Sequence, residues 1–243
     1  MTPEQRLADV FVALAGGTTD GPMDIPGTLS VLARRSPALL GAGAAAVVFA
    51  PGELEATHVA GSDSEVWRLE RDAVGWREGP GHDCRFTRGL PALAALDGGP
   101  ARQRWPHYAA RALGLGYTRV AALPLRERTR TSGALVLLSG ARQHAFSQDA
   151  LALGQSMADF TAVTLQRARE ADHSRTLTAQ LELALTSRVI IEQAKGILAT
   201  RWAVSVDDAF ARLRRHARSR QRPLSDVARE VVEGCADREL IGE

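Results

Sequence analysis

TAVTLQRAREADHSRTLTAQLELALTSRVIIEQAKGILAT, residues 161–200, decides how the rest of the chain is read. The stretch has no proline and a single glycine, Gly196, and its apolar residues recur at helical intervals, which predicts one long helix. Leu177, Ala184, Ile191 and Leu198 repeat every seven residues with Leu183, Ile190 and Ile197 beside them, so one flank is an apolar seam suited to a coiled-coil partner. On the adjacent stripe Leu181, Arg188 and Lys195 also repeat by seven, which sets two cations on one side of the helix, next to the seam.

Beyond this helix the pattern stays helical. Ser205-Val206-Asp207-Asp208 resembles a capping box, and Val206, Ala209, Phe210, Leu213 and Ala217 give the helix that follows an apolar face. A turn with Arg222 and Pro223 leads to Ser225, expected to cap a last helix buried through Val227, Ala228, Val231 and Val232.

Before residue 161 the chain alternates between helical and strand patterns. Leu7, Val10, Phe11 and Leu14 mark a helix over residues 4–15, with Gly16 and Gly17 to end it; Leu29, Leu32, Ala33, Leu39 and Leu40 mark a second, running into Gly41. AAAVVFA (44–50), bounded by Pro51 and Gly52, predicts a buried strand with a hairpin turn into LEATHVAG (54–61). Residues 63–73 and 101–113 read as helices, and Arg119–Leu125 and Gly133–Ser139 as two strands across the polar turn RERTRTSG. Ser147, Gln148 and Asp149 start the long helix. This order predicts an α+β domain, an antiparallel sheet with helices packed on it, followed by an all-α module.

Charge is distributed unevenly. Of the formal net charge of +2, the segment from Ser187 to Arg222 carries +6, nine basic residues against three acidic, which leaves −4 for the remainder. Concentrated positive charge is what a polyphosphate backbone attracts. Lys195 is the only lysine, so a P-loop, a pyridoxal Schiff base, a protein-kinase strand lysine and the lysine of a phosphorylated receiver domain have no place in residues 1–194. No Gly-x-Ser-x-Gly elbow is present, and the six histidines lack zinc spacing. The two cysteines, Cys84 and Cys235, are far apart, which argues for a reducing compartment and against a Cys-x-x-Cys site. The longest apolar run, Ala42–Ala50, is short of the roughly 20 residues that cross a bilayer, and MTPEQRLADV has no secretion-signal pattern. The expectation is a cytoplasmic protein that is not an enzyme, needs no cofactor or metal and has no membrane partner.

The C-terminal residues LALTSRVIIEQAKGILATR, SVDDAFARLRRHAR and PLSDVAREVVE resemble an ANTAR domain, a helical RNA-binding module of bacterial transcription antiterminators, over residues 181–233. Ser187-Arg188, Gln193-Ala194-Lys195-Gly196, Asp208-Ala209-Phe210 and Leu213-Arg214 stand in that family's order and spacing. The N-terminal residues GAGAAAVVF, Gly79-Pro80 ahead of Cys84, Trp105-Pro106, ALPL, SGALVLLS and SQDALALGQSMADFTAVTLQRA are similar to a GAF domain, a sensor module of bacterial regulators. Together the resemblances imply a GAF-like sensor over 1–168, a helical, coiled-coil-like linker over 169–186 and an ANTAR domain over 187–243. They imply a homodimer through the connecting helix, and RNA hairpins in nascent transcripts as the partner, contacted by Arg188, Lys195, Arg214 and Arg215. They also imply a small-molecule or redox signal in the first domain, with Cys84, His82 and His107 as candidate pocket residues. Phe210, at an apolar helical position, reads as core. Two other readings stay open: a DNA-binding helix-turn-helix regulator, and a GAF ligand-binding protein whose C-terminal helices only dimerise.

Overall fold

Five runs of small and branched apolar residues form one antiparallel sheet in the computed structural model, which describes residues 2–15, 24–52, 56–84, 92–128, 130–237 and 240. The strands are β1 (Ala44–Phe49), β2 (His58–Gly61), β3 (Ala92–Ala95), β4 (Tyr117–Arg126) and β5 (Thr131–Gly140), in the order β2-β1-β5-β4-β3. Every neighbouring pair is antiparallel, with Val47 opposite Leu135 and Leu135 opposite Leu123 across the three central strands.

β1, β4 and β5 read as nearly continuous apolar runs because both faces of the sheet are covered. Alternate residues serve alternate cores. Ala45, Val47, Phe49, Leu123, Leu125, Leu135 and Leu137 meet Val10 and Leu14 of α1 (Pro3–Ala15) and Leu29 and Leu32 of α2 (Ile25–Leu40). Met157, Ala158 and Leu165, from the first part of α7 (Gln148–Trp202), join the same core. Gly154 lets α7 come close to the sheet, since a Cβ there would lie 2.6 Å from Leu123 Cδ1. On the other face Ala44, Ala46, Val120, Ala122, Val136 and Leu138 pack with α3 (Ser64–Trp76), α4 (Pro80–Cys84), α5 (Gly99–Arg104) and α6 (Pro106–Gly114). The result is the expected α+β domain, a sheet between two helical layers.

Two expectations change. The predicted helix over 101–113 is two helices, because Trp105 closes α5 by donating its amide to Ala101 O at 2.8 Å and Pro106 opens α6. The sheet also gains β3, whose sequence ALAA carries no strand signal of its own and is held as an edge by pairing with β4. Gly16, Gly17 and residues 53–55, where a helix stop and part of a hairpin turn are expected, lie outside the described residues.

The long helix is present: α7 runs unbroken for 55 residues, and Ser147 Oγ accepts from the amide of Ala150 at 3.1 Å at its start. The chain divides into two compact units, Met1–Ala171 and Asp172–Glu243. In the second, Ala194 and Leu198 of α7 pack with Ala209, Leu213 and Ala217 of α8 (Val206–Ser219) and with Val227, Ala228 and Val231 of α9 (Leu224–Glu233). Ser205 caps α8 as expected, accepting from Asp208 N at 3.1 Å and donating to Asp208 Oδ2 at 2.7 Å. Ser225 does not cap α9. That helix starts two residues earlier, with Pro223 at the cap position and Asp226 N donating to Pro223 O, and Ser225 Oγ lies 3.4 Å from Asp226 Oδ1 instead.

The heptad seam of α7 divides. Leu198 is fully buried and Ile191 packs on the same core, because the apolar faces of α8 and α9 fold back on the end of α7. Leu177, Leu181, Leu183, Leu185 and Val189 stay exposed, between 50% and 69%. Among the described residues no helix is long and apolar enough to cross a membrane.

Candidate nucleic-acid interface

The second unit sorts its own cations. Arg222 Nη1 donates to Glu230 Oε2 at 3.0 Å and Nη2 to Oε1 at 2.5 Å, and this hydrogen-bonded pairing holds Glu230 below the usual carboxylate range. Arg220 Nη2 lies 3.1 Å from Asp237 Oδ2. Arg212 lies over the Trp202 ring, 5.2 Å from its centroid. Lys195 Nζ donates to both oxygens of Glu192 at 2.9 Å and sits 5.1 Å from the centroid of Phe210. By contrast Arg188, Arg214, Arg215 and Arg218 are exposed and have no ion-pair partner among the described residues.

Helix geometry decides which of these meet. Ala209, Leu213 and Ala217 are the buried stripe of α8, so Phe210, Arg214 and Arg218, four residues apart, form a ridge along one flank of that stripe. Arg212 belongs to the other flank, and Arg215 follows Arg214 by about 100° on the outer face. The Lys195–Phe210 contact joins the ridge to α7, on which Arg188 lies seven residues before Lys195, two turns and about 10 Å along the axis. Arg188, Lys195 and Arg214 therefore border one continuous surface, Arg215 adjoins it, and Lys195 enters it already paired. Sequence reasoning missed Arg218, whose spacing of four from Arg214 was the available signal, and it missed Glu192 as the carboxylate that holds Lys195.

The first unit places the other candidates in one helical layer but in unlike settings. Cys84 is fully buried in α4, with Sγ 3.9 Å from Ala122 O. His82 is in the same helix, and its Nδ1 lies 3.3 Å from Asp83 Oδ1; Asp83 Oδ2 accepts from Trp105 Nε1 at 2.8 Å and from Arg104 Nε at 2.5 Å. His107 is exposed at the start of α6, with Nδ1 2.7 Å from Glu78 Oε1 and its ring 5.6 Å from that of Trp76. Glu78 caps α6 from a distance, accepting from the amides of His107 at 2.9 Å and Tyr108 at 3.2 Å. Burial alone would raise the Glu78 pKa, but these hydrogen bonds outweigh it and hold the carboxyl below its ordinary value.

A further acid was not foreseen. Glu70 of α3 is buried, Tyr108 Oη donates to its Oε1 at 2.7 Å, and a Cβ on Gly81 would lie 3.4 Å from its Oε2. Burial pushes this carboxyl up to about 7, with the Tyr108 hydrogen bond acting in the opposite direction. The signal in the sequence was its register, since Val66, Leu69, Glu70 and Ala73 share the buried face of α3. Among the described residues no three His, Cys, Asp or Glu side chains are grouped to hold a metal ion.

Residues 179–232 match the ANTAR domain. No curated protein matches the chain. Among solved structures, the GAF domain of a Coxiella burnetii phosphoenolpyruvate-protein phosphotransferase aligns at 17% identity and TM-score 0.49, covering 71% of this chain and 99% of that one. The corresponding Acinetobacter domain aligns at 11% identity and TM-score 0.49, with the same coverage. The GAF domain of a putative sensor histidine kinase from Pseudomonas syringae pv. tomato aligns at 16% identity and TM-score 0.47, covering 73% of this chain and 92% of that one. The N-terminal architecture rests on the sheet order and the two helical layers. Residues 179–232 match the ANTAR family of domains, and in the chain they follow an α+β unit built of a five-stranded antiparallel sheet between helical layers.

Proposed function

We propose that this chain is a signal-responsive RNA-binding transcription antiterminator, acting in the cytoplasm, whose ANTAR domain binds RNA hairpins in nascent transcripts. The observation that carries this reading is the set of exposed arginines with no ion-pair partner among the described residues, Arg188, Arg214 and Arg215, bordering one surface of a domain matched to ANTAR. Arginine planes stack on splayed bases and grip phosphate in a fork, and single-stranded loops are where RNA sequence can be read. Lys195 belongs to the same contact set. Its pairing with exposed Glu192, three residues away, is worth about 0.5 kcal/mol, little enough for a phosphate to displace.

The test begins with a stem-loop RNA selected on the full-length protein from a pool with randomised loops. Arg214→Ala and Lys195→Ala should each weaken binding, and the arginine variant should also make its salt dependence shallower by about one phosphate contact. Unchanged affinity and salt dependence in both variants would remove the proposed surface. Preference for duplex DNA over stem-loops at matched salt would favour a helix-turn-helix regulator, and failure to bind either would favour helices that only dimerise.

The GAF-like unit supplies the signal, a small molecule or a redox change, with Cys84, His82 and His107 as the proposed pocket residues. Cys84 is buried, so a redox signal at its thiol requires α4 to open, and labelling of Cys84 in the native full chain should then accelerate under the activating condition. Homodimerisation through α7 is supported by the exposed Leu177, Leu181, Leu185 and Val189, a ridge with four-residue spacing. Leu181→Glu should shift the sedimentation of the full chain to that of a monomer; an unchanged species would place the dimer contact elsewhere.

A further inference from the structure

Phe210 stands apart from the other apolar residues of its unit. The side chains that pack against the buried cluster of α7, α8 and α9 are Ile190, Ile191, Ala199, Trp202, Val204 and Leu224, and Phe210 is not among them. Its ring is half-buried, and a cation lies over it: Lys195 Nζ is 5.1 Å from the ring centroid, with the lysine side chain laid down to 14% exposure. Glu192 fastens that cation through both carboxylate oxygens at 2.9 Å. The second aromatic of the unit, Trp202, also lies under a cation, Arg212, but it packs on the core and belongs to the opposite flank of α8. Phe210 is therefore the aromatic on the flank that carries Arg214 and Arg218.

A flat ring set among arginines with no ion-pair partner among the described residues, beneath a cation held by a weak local ion pair, is what an unstacked base needs: a π-face to stack on and positive charge at its edges for the flanking phosphates. An apolar core position would bury the ring against other side chains, and a merely solvated face would leave the lysine extended into water. Neither describes this contact.

We infer that Phe210 is a base-stacking platform of the RNA-binding surface, covered in the free protein by Lys195, which moves to a phosphate when a loop base takes its place over the ring. This rests on the RNA-binding reading above and adds to it a residue that contacts a base. The exchange balances in charge, because Lys195 trades the Glu192 carboxylate for a phosphate oxygen and Glu192, already exposed, is left to solvent.

The experiment uses the full-length protein and the stem-loop RNA selected on it, with 2-aminopurine substituted at each loop position in turn. Wild type should quench the emission of at least one loop position on binding. Phe210→Leu, which keeps an apolar side chain and removes the ring, should relieve that quenching and weaken binding roughly 10- to 100-fold with the salt slope unchanged. Phe210→Tyr should keep both, and circular dichroism should show native helicity for each variant. Wild-type affinity in Phe210→Leu, or no quenched position in the wild-type complex even if that variant fails to fold, would overturn the inference. In either case a weakened Arg214→Ala would leave the RNA reading standing, whereas a pool that enriches no stem-loop would bring down that reading itself.

Discussion

Replacing Glu70 by glutamine removes a titrating carboxyl from the interior of the first unit while leaving an oxygen to accept the Tyr108 hydroxyl. Glu70 is 1% exposed, and its carboxyl titrates at about 7 in the folded protein against an ordinary value of 4.5. Below the lower value both folded and unfolded chains hold the proton, and Glu70 contributes no pH dependence. Between the two the folded chain keeps a proton that the unfolded chain releases, so stability falls as pH rises, and above the upper value the whole cost of a buried carboxylate is present. The separation corresponds to roughly 3 kcal/mol. With a urea slope of about 2 kcal/mol/M, this is a midpoint lower by about 1–2 M at pH 8 than at pH 5. Trp202→Phe is the background for the assay, because the remaining tryptophans, Trp67, Trp76 and Trp105, all lie in the first unit and report its unfolding alone. In that background Glu70→Gln should flatten this part of the pH dependence and gain stability relative to wild type at the alkaline end. Parallel curves for the two proteins from about pH 5 to pH 8 would refute the reasoning, because they would mean that Glu70 is not the group whose proton uptake accompanies folding.

Ser205→Ala removes the cap of α8 and should destabilise the second unit by about 1 kcal/mol, read from the urea midpoint of the Trp202 fluorescence obtained by subtracting the signal of the Trp202→Phe protein. Leu213→Ala, at a fully buried position of the same unit, should cost about 2–5 kcal/mol in that assay, and a loss below 1 kcal/mol would mean that α8 does not pack as described. Arg126 of β4 donates through Nε to Asp159 Oδ1 of α7 at 2.8 Å, with a second bond between Nη2 and Oδ2, and both residues are partly exposed. A double-mutant cycle of Arg126→Ala and Asp159→Ala should give a coupling of about 0.5–1 kcal/mol that shrinks in high salt; additive effects would deny the pair any energetic role.

The parts of the fold legible in the sequence were those with their own local pattern. The run from Ala44 to Phe49 declared a buried strand because every residue is apolar, and the structure buries each of them between two cores. The long helix declared itself by its lack of proline and by its periodicity. β3 was not legible, because Ala92–Ala95 is a strand only through its pairing with β4, and residues far apart in sequence supply that pairing. The heptad seam was legible as apolar but not as to its occupant: Leu198 could equally face a second chain or α8 and α9, and the structure sets it in its own unit. The same limit holds at the candidate site. Spacing put Arg188 and Lys195 on one stripe, but which cations have partners depends on acids in other turns, Glu192, Glu230 and Asp237, whose side-chain directions only the folded helices fix.

That sorting of cations changes what salt should do to binding. If the second unit attracted RNA merely as a basic face, all nine cations between Ser187 and Arg222 would take part, and the logarithm of affinity would fall with the logarithm of salt concentration with a slope of about −6 to −8. The folded unit ties Arg220 and Arg222 to its own acids and lays Arg212 over Trp202, and Arg201 is not free either. Lys195 adds little to ion release, because its move to a phosphate frees a Glu192 carboxylate that takes up a cation in turn. Arg188, Arg214, Arg215 and Arg218 remain, and four phosphate contacts correspond to a slope of about −3 to −4. A titration of the selected stem-loop across salt concentrations separates the two cases by a factor of about two. A slope in the steeper range would mean that the internal pairs open on binding and that the interface is a diffuse basic face rather than a defined surface bordered by these arginines.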